Sequence, residues 1–325
     1  MTNFITDLDL KFKEAEEKGN LENAIKYVKD IVIRILQDGG EIADAVFYAK
    51  KLAELYIKIG DIENGKQAFQ AVLNLSIAVY GENNLFTIEV YHVLARLNME
   101  LENYEIAMVF ASKAFLQLQS FDDISNALFI DTVNRISVIF EKLEKFEILD
   151  EFLQYKYKIF ANVYGKDAIE TVDVARDRIN NDIDLGKFDK ALKSAIKLES
   201  VIKKLFGLDS AMYVGILDSL ACIYESCGDY ESAVKYYEKI SKLDSAKEDE
   251  EYKLVYLEGL VSCYLELDEL KKAVNALESL IETYVVQDKL EDAAEDIESL
   301  DDLYQELGID KTAAALVAKL KKSNN

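Results

Sequence analysis

Apolar residues recur along this chain at intervals of three and four, the spacing that gathers them on one face of an α-helix. The pattern is clearest in residues 218–237, DSLACIYESCGDYESAVKYY. Leu220, Ala221 and Tyr224 share a face, the run stops at Gly228-Asp229, and Tyr230, Ala233 and Tyr237 resume it. This predicts two amphipathic helices joined by a tight Gly-Asp turn. Worn copies of the same stretch follow one another along the chain. Anchored on the turn, they fall at Gly19, Gly60, Glu102, Glu144, Gly186, Gly228, Asp268 and Gly308, with intervals of 41, 42, 42, 42, 42, 40 and 40. A period so regular signals a repeat architecture that grows by stacking and not by enlarging one core.

A second set of glycines keeps the same period. Gly39, Gly81, Gly165 and Gly207 occupy it, with Asp123 in the one skipped slot, and three of the four follow an aromatic: Tyr80, Tyr164 and Phe206. Gly after a helical run is a stop, because it takes the left-handed conformation at little cost. Each repeat therefore reads as a first helix, a turn, a second helix of similar length and a stop. Four residues before the anchor stand Tyr56, Phe140, Tyr224, Tyr264 and Tyr304. Seven before it are Ala53, Ala95, Ser137 and Ala221; five after it are Ala24, Gly65, Ala107, Ala191, Ala233, Ala273 and Ala313. Small residues on both helices let the backbones approach, and the aromatic fills the wedge beside them. The expected fold is all-α, a solenoid of about eight antiparallel helix pairs. It forms one domain over residues 1–325, with units at 4–39, 42–81, 85–123, 124–165, 167–207, 209–246, 248–285 and 288–322, the last a cap. The polar stretch 244–251, DSAKEDEE, reads as a loosened unit boundary.

At Leu220, Ala221, Tyr224, Gly228, Tyr230 and Ala233 the chain resembles the tetratricopeptide repeat family, whose pattern is LA-x-x-Y-x-x-x-G-x-Y-x-x-A. The long period and the aromatic-Gly stop, as in Tyr80-Gly81-Glu82-Asn83 and Tyr164-Gly165-Lys166-Asp167, are similar to the kinesin light chain type of this repeat. The His-Pro that often follows the stop in that type is absent here. The resemblance implies a right-handed superhelix whose first helices line a concave groove, and a protein or peptide partner held there. The inward slots lie about ten and six residues before each anchor. They nominate Lys50, His92, Arg96, Asn134, Arg176, Asn180, Asp218 and Glu258 as partner-binding residues. The middle of this face is basic and amide-rich, and its C-terminal end is acidic.

Composition narrows the function. A net charge of −23 excludes a general affinity for nucleic acid or an anionic membrane, though not a local basic patch. Three Cys, one His and no Pro provide neither a disulfide framework nor a zinc-ligand spacing, so no metal and no cofactor are expected. No run is long and apolar enough to span a bilayer, and the N-terminus lacks the apolar core of a secretory signal, so a cytoplasmic location is expected. The glycines are spaced at the repeat period and form no phosphate loop, and no catalytic constellation stands out. The expected function is a non-enzymatic adaptor or scaffold. A peptide-responsive regulatory sensor and a structural subunit using the convex face remain as alternatives.

One helix departs from the template. In residues 172–188, VDVARDRINNDIDLGKF, Arg178 and Asp182 fill slots that elsewhere hold Leu and Tyr. Four apart on one face, they can pair. The stretch is either a degenerate repeat, rotated to use Val172, Ala175, Ile179 and Ile183, or a polar seam at which the superhelix bends or a partner enters.

Overall fold

A computed structural model describes residues 3–121, 127–247 and 249–323. Among these residues the regular structure is helical, with no strand. The helices follow the repeat in pairs: α1 (Asn3–Glu17) and α2 (Leu21–Gln37), α3 (Ile42–Lys58) and α4 (Ile62–Tyr80), α5 (Leu85–Glu100) and α6 (Tyr104–Leu118), α7 (Ala127–Lys142) and α8 (Phe146–Val163). Next come α9 (Ile169–Asp184) and α10 (Phe188–Phe206), then α11 (Ala211–Ser226) and α12 (Tyr230–Ile240) with a short α13 (Asp244–Lys247). The last pairs are α14 (Glu250–Glu266) with α15 (Leu270–Val286) and α16 (Ala294–Glu306) with α17 (Ala313–Ser323). This is the expected solenoid of antiparallel helix pairs.

The helices fall into two compact units, Met1–Leu149 and Asp150–Asn325. In the first, successive helices pack from α1 to α7, and the first helices α5 and α7 also touch each other. In the second, the first helices α9, α11 and α14 touch in succession, each also packed against its own partner.

The turns explain the period. All eight anchors have positive φ. At each, the next backbone N–H reaches back five residues, as in Asp61 to Tyr56 O (2.9 Å) and Asp229 to Tyr224 O (2.9 Å). The anchor's own N–H bonds the carbonyl three residues back, which completes a Schellman stop. Gly228 makes this bend without a Cβ penalty. Glu102 (φ 57°), Glu144 (φ 53°) and Asp268 (φ 58°) hold the same bend with a side chain attached, at a cost of about 1–2 kcal/mol each. The following residue then starts the second helix: Asn20, Asp61 and Asp229 accept a hydrogen bond from the backbone N–H three residues on. A Gly-Asp pair thus ends one helix and caps the next. The glycines of the second set also have positive φ, while Asp123 lies outside the described residues.

Packing follows the small-residue slots. Ala53, Ala95 and Ala221 on first helices, and Ala24, Ala107, Ala191, Ala233, Ala273 and Ala313 on second helices, have no exposed surface. Gly65 fills the same slot in α4, where a Cβ would collide with Ile57 Cδ1. In the first unit these crossings carry a core including Phe12, Val28, Ile31 and Tyr48; in the second, one including Leu217, Leu220, Ile223, Leu277 and Tyr304.

The structure departs from the repeat in two places. At the polar boundary 244–251 the second helix ends early, at Ile240, and α13 follows, with Ala246 fully buried; Glu248 lies outside the described residues. In α9 the rotated register is present, with Val172 and Ile179 buried and Ala175 and Ile183 half-buried. Arg178 and Asp182, however, do not pair among the described residues. Asp182 is 3% exposed and takes the Lys190 ammonium of α10 at 2.7 Å. Arg178 instead lies over the Tyr157 ring of α8, 5.8 Å from its centroid. Burial rewards the shorter, better-enclosed ion pair, and spacing within one helix does not decide the partner.

Candidate functional site

In the first unit, Lys50 of α3 and Arg96 of α5 line one cleft of about 310 Å³. Its floor includes Phe69, Phe86, Val90 and Val93, and its rim carries Glu54 and Glu89. The Lys50 ammonium stands 5.3 Å from the Phe86 ring centroid and 3.9 Å from Glu54. Arg96 bonds Glu100 one turn on, at 2.8 Å.

His92, four residues before Arg96, is half-buried against α7. Thr132 Oγ1 donates to the Leu128 carbonyl (2.7 Å), and His92 Nδ1 lies 3.1 Å from the same hydroxyl. Nε2 then lies 3.3 Å from the Arg135 guanidinium and 2.7 Å from the Asp131 carboxylate, which Arg135 also bonds at 2.8 Å. Burial, and next the Arg135 charge, hold the His92 pKa below its usual value, against the pull of Asp131. Asn134 is half-buried on α7.

In the second unit, Arg176 and Asn180 of α9, Asp218 and Ser219 of α11, and Tyr252 and Val255 of α14 surround a cleft of about 300 Å³. Three successive first helices thus contribute to one site. Gly215 of α11 gives Arg176 its place, since a Cβ there would collide with Arg176 Nη1. Arg176 bonds Asp173 at 3.0 Å, and the Ser219 hydroxyl donates to Asn180 Oδ1 at 2.9 Å. Burial pushes the Asp218 pKa up to about 6, opposed by Arg176 and helped by Glu225. One turn deeper, Tyr237 of α12 donates to Glu225 at 3.0 Å, and Ser262 of α14 donates to the same carboxylate at 2.7 Å. Gly259 leaves room for the Tyr237 ring. The Cys222 thiol lies among these groups, its pKa pushed up to about 11, chiefly by burial, which disfavours a reactive thiolate.

Glu258 sits apart from that cleft. It is exposed on α14 and accepts from the Tyr284 hydroxyl at 3.0 Å. The bond is one of three alike: Tyr264 to Glu238 and Tyr304 to Glu278 also join a tyrosine to a glutamate 26 residues earlier. Glu258 therefore also clasps neighbouring helices together.

The structure adds a slot that the sequence reading passed over. Thirteen residues before the anchors stand Phe47, Glu89, Asp131, Asp173, Gly215 and Val255. Phe47, Glu89, Gly215 and Val255 line a cleft, Asp173 pairs with Arg176 beside one, and Asp131 pairs with Arg135. Thirteen, ten and six lie one helical turn apart, so the same periodicity marked this slot. It changes the electrostatics. Lys50, Arg96, Arg135 and Arg176 each have a carboxylate on their own helix, and the basic middle of the face is locally neutralised. The Lys50–Glu54 and Arg96–Glu100 pairs are exposed and hold together weakly, which leaves both members available to a ligand. Among the described residues no group of three or more His, Cys, Asp and Glu is arranged to hold a metal. No described helix is long and apolar enough to cross a membrane.

Stacked antiparallel pairs with Schellman turns and faces of first helices define a helical-repeat protein. Two stretches, residues 40–76 and 216–251, match models of the tetratricopeptide repeat. Those two stretches carry the repeat, and among solved structures the fold of the chain is like those of the kinesin light chain type. The TPR-like repeats of a Podosopora anserina protein assigned to the kinesin light chains match with 12% identity and a TM-score of 0.51, covering 59% of this chain and 90% of that one. The apo form of RapI gives 12% identity and a TM-score of 0.57, covering 86% and 96%. A Rap protein complexed with Competence and Sporulation Factor gives 13% identity and a TM-score of 0.51, covering 99% of each chain. At such identities the likeness is one of fold. No curated protein matches the chain in sequence.

Proposed function

We propose that this chain is a non-enzymatic, cytoplasmic scaffold that holds an extended or helical segment of a partner protein along its first helices. The cleft of the second unit carries this reading. There α9, α11 and α14 bring a guanidinium, an amide, a carboxyl and three hydroxyl groups around about 300 Å³ of space. Such a set suits a peptide: Arg176 can grip a carboxylate in bidentate fashion, and Asn180 can bond backbone N–H and C=O groups. In the first unit Lys50 and Arg96 provide a further polar surface over an apolar floor, with His92 and Asn134 half-buried on α5 and α7. A peptide-responsive sensor is the second reading. It is favoured by the fold match to a Rap protein in complex with Competence and Sporulation Factor, which spans 99% of both chains.

The test is affinity capture from the source cell followed by mass spectrometry. Wild type is compared with a triple variant, Arg96→Glu, Asn134→Ala and Arg176→Glu, with helicity checked by circular dichroism. Loss of a partner at unchanged helicity supports the groove; retention of every partner refutes it. For the sensor reading, the radius of gyration is measured with and without the captured peptide, and an unchanged value rejects it.

A further inference from the structure

The cleft between α9 and α10 has a chemistry that the partner groove does not use. Arg178 and Asp182 lie two residues away from Arg176 and Asn180, about 200° around the helix, so they face the other side of α9. There Arg178, Lys190 and Lys197, with Ser194, surround a space of about 270 Å³ walled by Ile179, Leu198 and Val201. Asp182 is the one acidic side chain among the lining residues. Its carboxylate is satisfied by Lys190 at 2.7 Å. Asp150 stands 3.9 Å from the same ammonium and 3.6 Å from Lys187.

That arrangement leaves positive charge over. Arg178 is half-buried and makes no ion pair among the described residues, and its Nε is buried with no hydrogen-bond partner. A guanidinium withdrawn from water needs a counter-charge, and the carboxylate four residues along has been given to α10. Lys197 likewise has no ion pair among the described residues, nor do Lys193, Lys203 and Lys204 on the exposed side of α10. The overall charge of −23 does not cancel this spot, because screening limits exposed charges to a range of about 8 Å at physiological salt.

We infer that the α9/α10 cleft binds a phosphate monoester. Three cations against one carboxylate leave an excess of two positive charges in the lining, and a phosphate monoester carries about two negative charges at pH 7. Arg178 and Lys197 would take its oxygens, Ser194 would add a hydroxyl, and Leu198 and Val201 would pack the carbon chain that bears it. The site is separate from the partner groove, so either can fail without the other.

Thermal unfolding of the full chain is followed in inorganic phosphate, phosphoserine and acetate at matched ionic strength, and phosphoserine binding is measured by calorimetry. Both phosphate probes are expected to raise Tm, because a ligand held by the folded state alone stabilises it; acetate is expected not to. Lys197→Gln and Arg178→Gln are each expected to weaken phosphoserine binding by about an order of magnitude or more, and Lys235→Gln, exposed on α12, is expected to leave it unchanged. Lys197 is exposed, so its variant decides the matter if Arg178→Gln unfolds. A phosphoserine peptide that binds more tightly than free phosphoserine assigns the ligand to a modified protein; equal binding assigns it to a free phosphate monoester. Absence of any Tm shift with either phosphate probe, an equal shift with acetate, or undiminished binding in Lys197→Gln overturns the inference.

Discussion

The clefts of the two units are built from the same slots of the repeat, yet they differ in kind. In the first unit Lys50 and Arg96 stand at the rim of an apolar floor and are matched by Glu54 and Glu100 on their own helices. In the second, glycine has replaced larger residues at two slots, and polar groups have sunk inward. Nine residues before the anchor the first unit has Lys51, Val93 and Arg135, where α14 has Gly259; the Tyr237 ring occupies the space so opened. Thirteen before, it has Phe47, Glu89 and Asp131, where α11 has Gly215 under Arg176. The scaffold is constant while the depth of the site varies, and depth sets how strongly its charges are felt.

The scaffold being common, its crossings should be equally intolerant in both units. Ala107→Leu and Ala233→Leu, each at a fully buried position, are expected to cost about 3 kcal/mol apiece, measured by urea unfolding. A large disparity between them would break the equivalence.

Gly259→Val tests the deeper site. The new side chain meets the Tyr237 ring, which is buried and bonded to Glu225. A loss of about 2–3 kcal/mol is expected, whereas Val93→Gly at the same slot of the first unit is expected to cost about 1 kcal/mol, from helix propensity and the lost burial of a half-buried side chain together.

The turns offer a smaller effect of opposite sign. Glu102→Gly in the first unit and Asp268→Gly in the second remove a left-handed side chain. Each is expected to stabilise by about 1 kcal/mol, read as a higher denaturation midpoint. No gain in either would mean that the side chain compensates for the strain.

The responses of the two units to pH are expected to run in opposite directions. Burial pushes the Asp218 pKa up to about 6, above its value of about 4 in an unfolded chain. Between these the folded state keeps a proton that the unfolded state has released, so its contribution to stability is lost as pH rises through about 6. Asp218→Asn should therefore exceed wild type in stability by more at pH 7 than at pH 4. His92 is shifted down; its contribution is lost as pH falls below the ordinary histidine value of about 6.5. His92→Gln should blunt the loss of stability on acidification. Parallel slopes for the two variants, by thermal unfolding across this range, would erase the electrostatic contrast.

The sequence was legible where a rule acts locally. The anchor series located the left-handed turn inside each of the eight pairs, including the three that are not glycine, because the apolar period ends wherever the chain must bend; the left-handed Asp288 after α15 lay outside the series. The small-residue slots located the crossings. The inner face was legible in part. Lys50 and Arg96 share one cleft, and Arg176, Asn180 and Asp218 share another, but His92 turned to α7 and Glu258 was claimed by Tyr284. Those partners stand 40 and 26 residues away, beyond any spacing rule within a helix. The slot thirteen residues before the anchor was open to the same periodic argument and was missed because its residues share no chemistry.

By itself, then, the sequence determined the repeat, its helices, its turns and its crossings, since hydrophobic period, left-handed glycine and capping residues act within a few positions of one another. Only the tertiary structure decided which charges meet. It gave Asp182 to Lys190 and not to Arg178, set Arg176 over Gly215, and buried Asp218 enough to move its proton. Each of these choices depends on the dielectric and the free volume between helices far apart in the chain, and neither quantity is defined until the helices have packed.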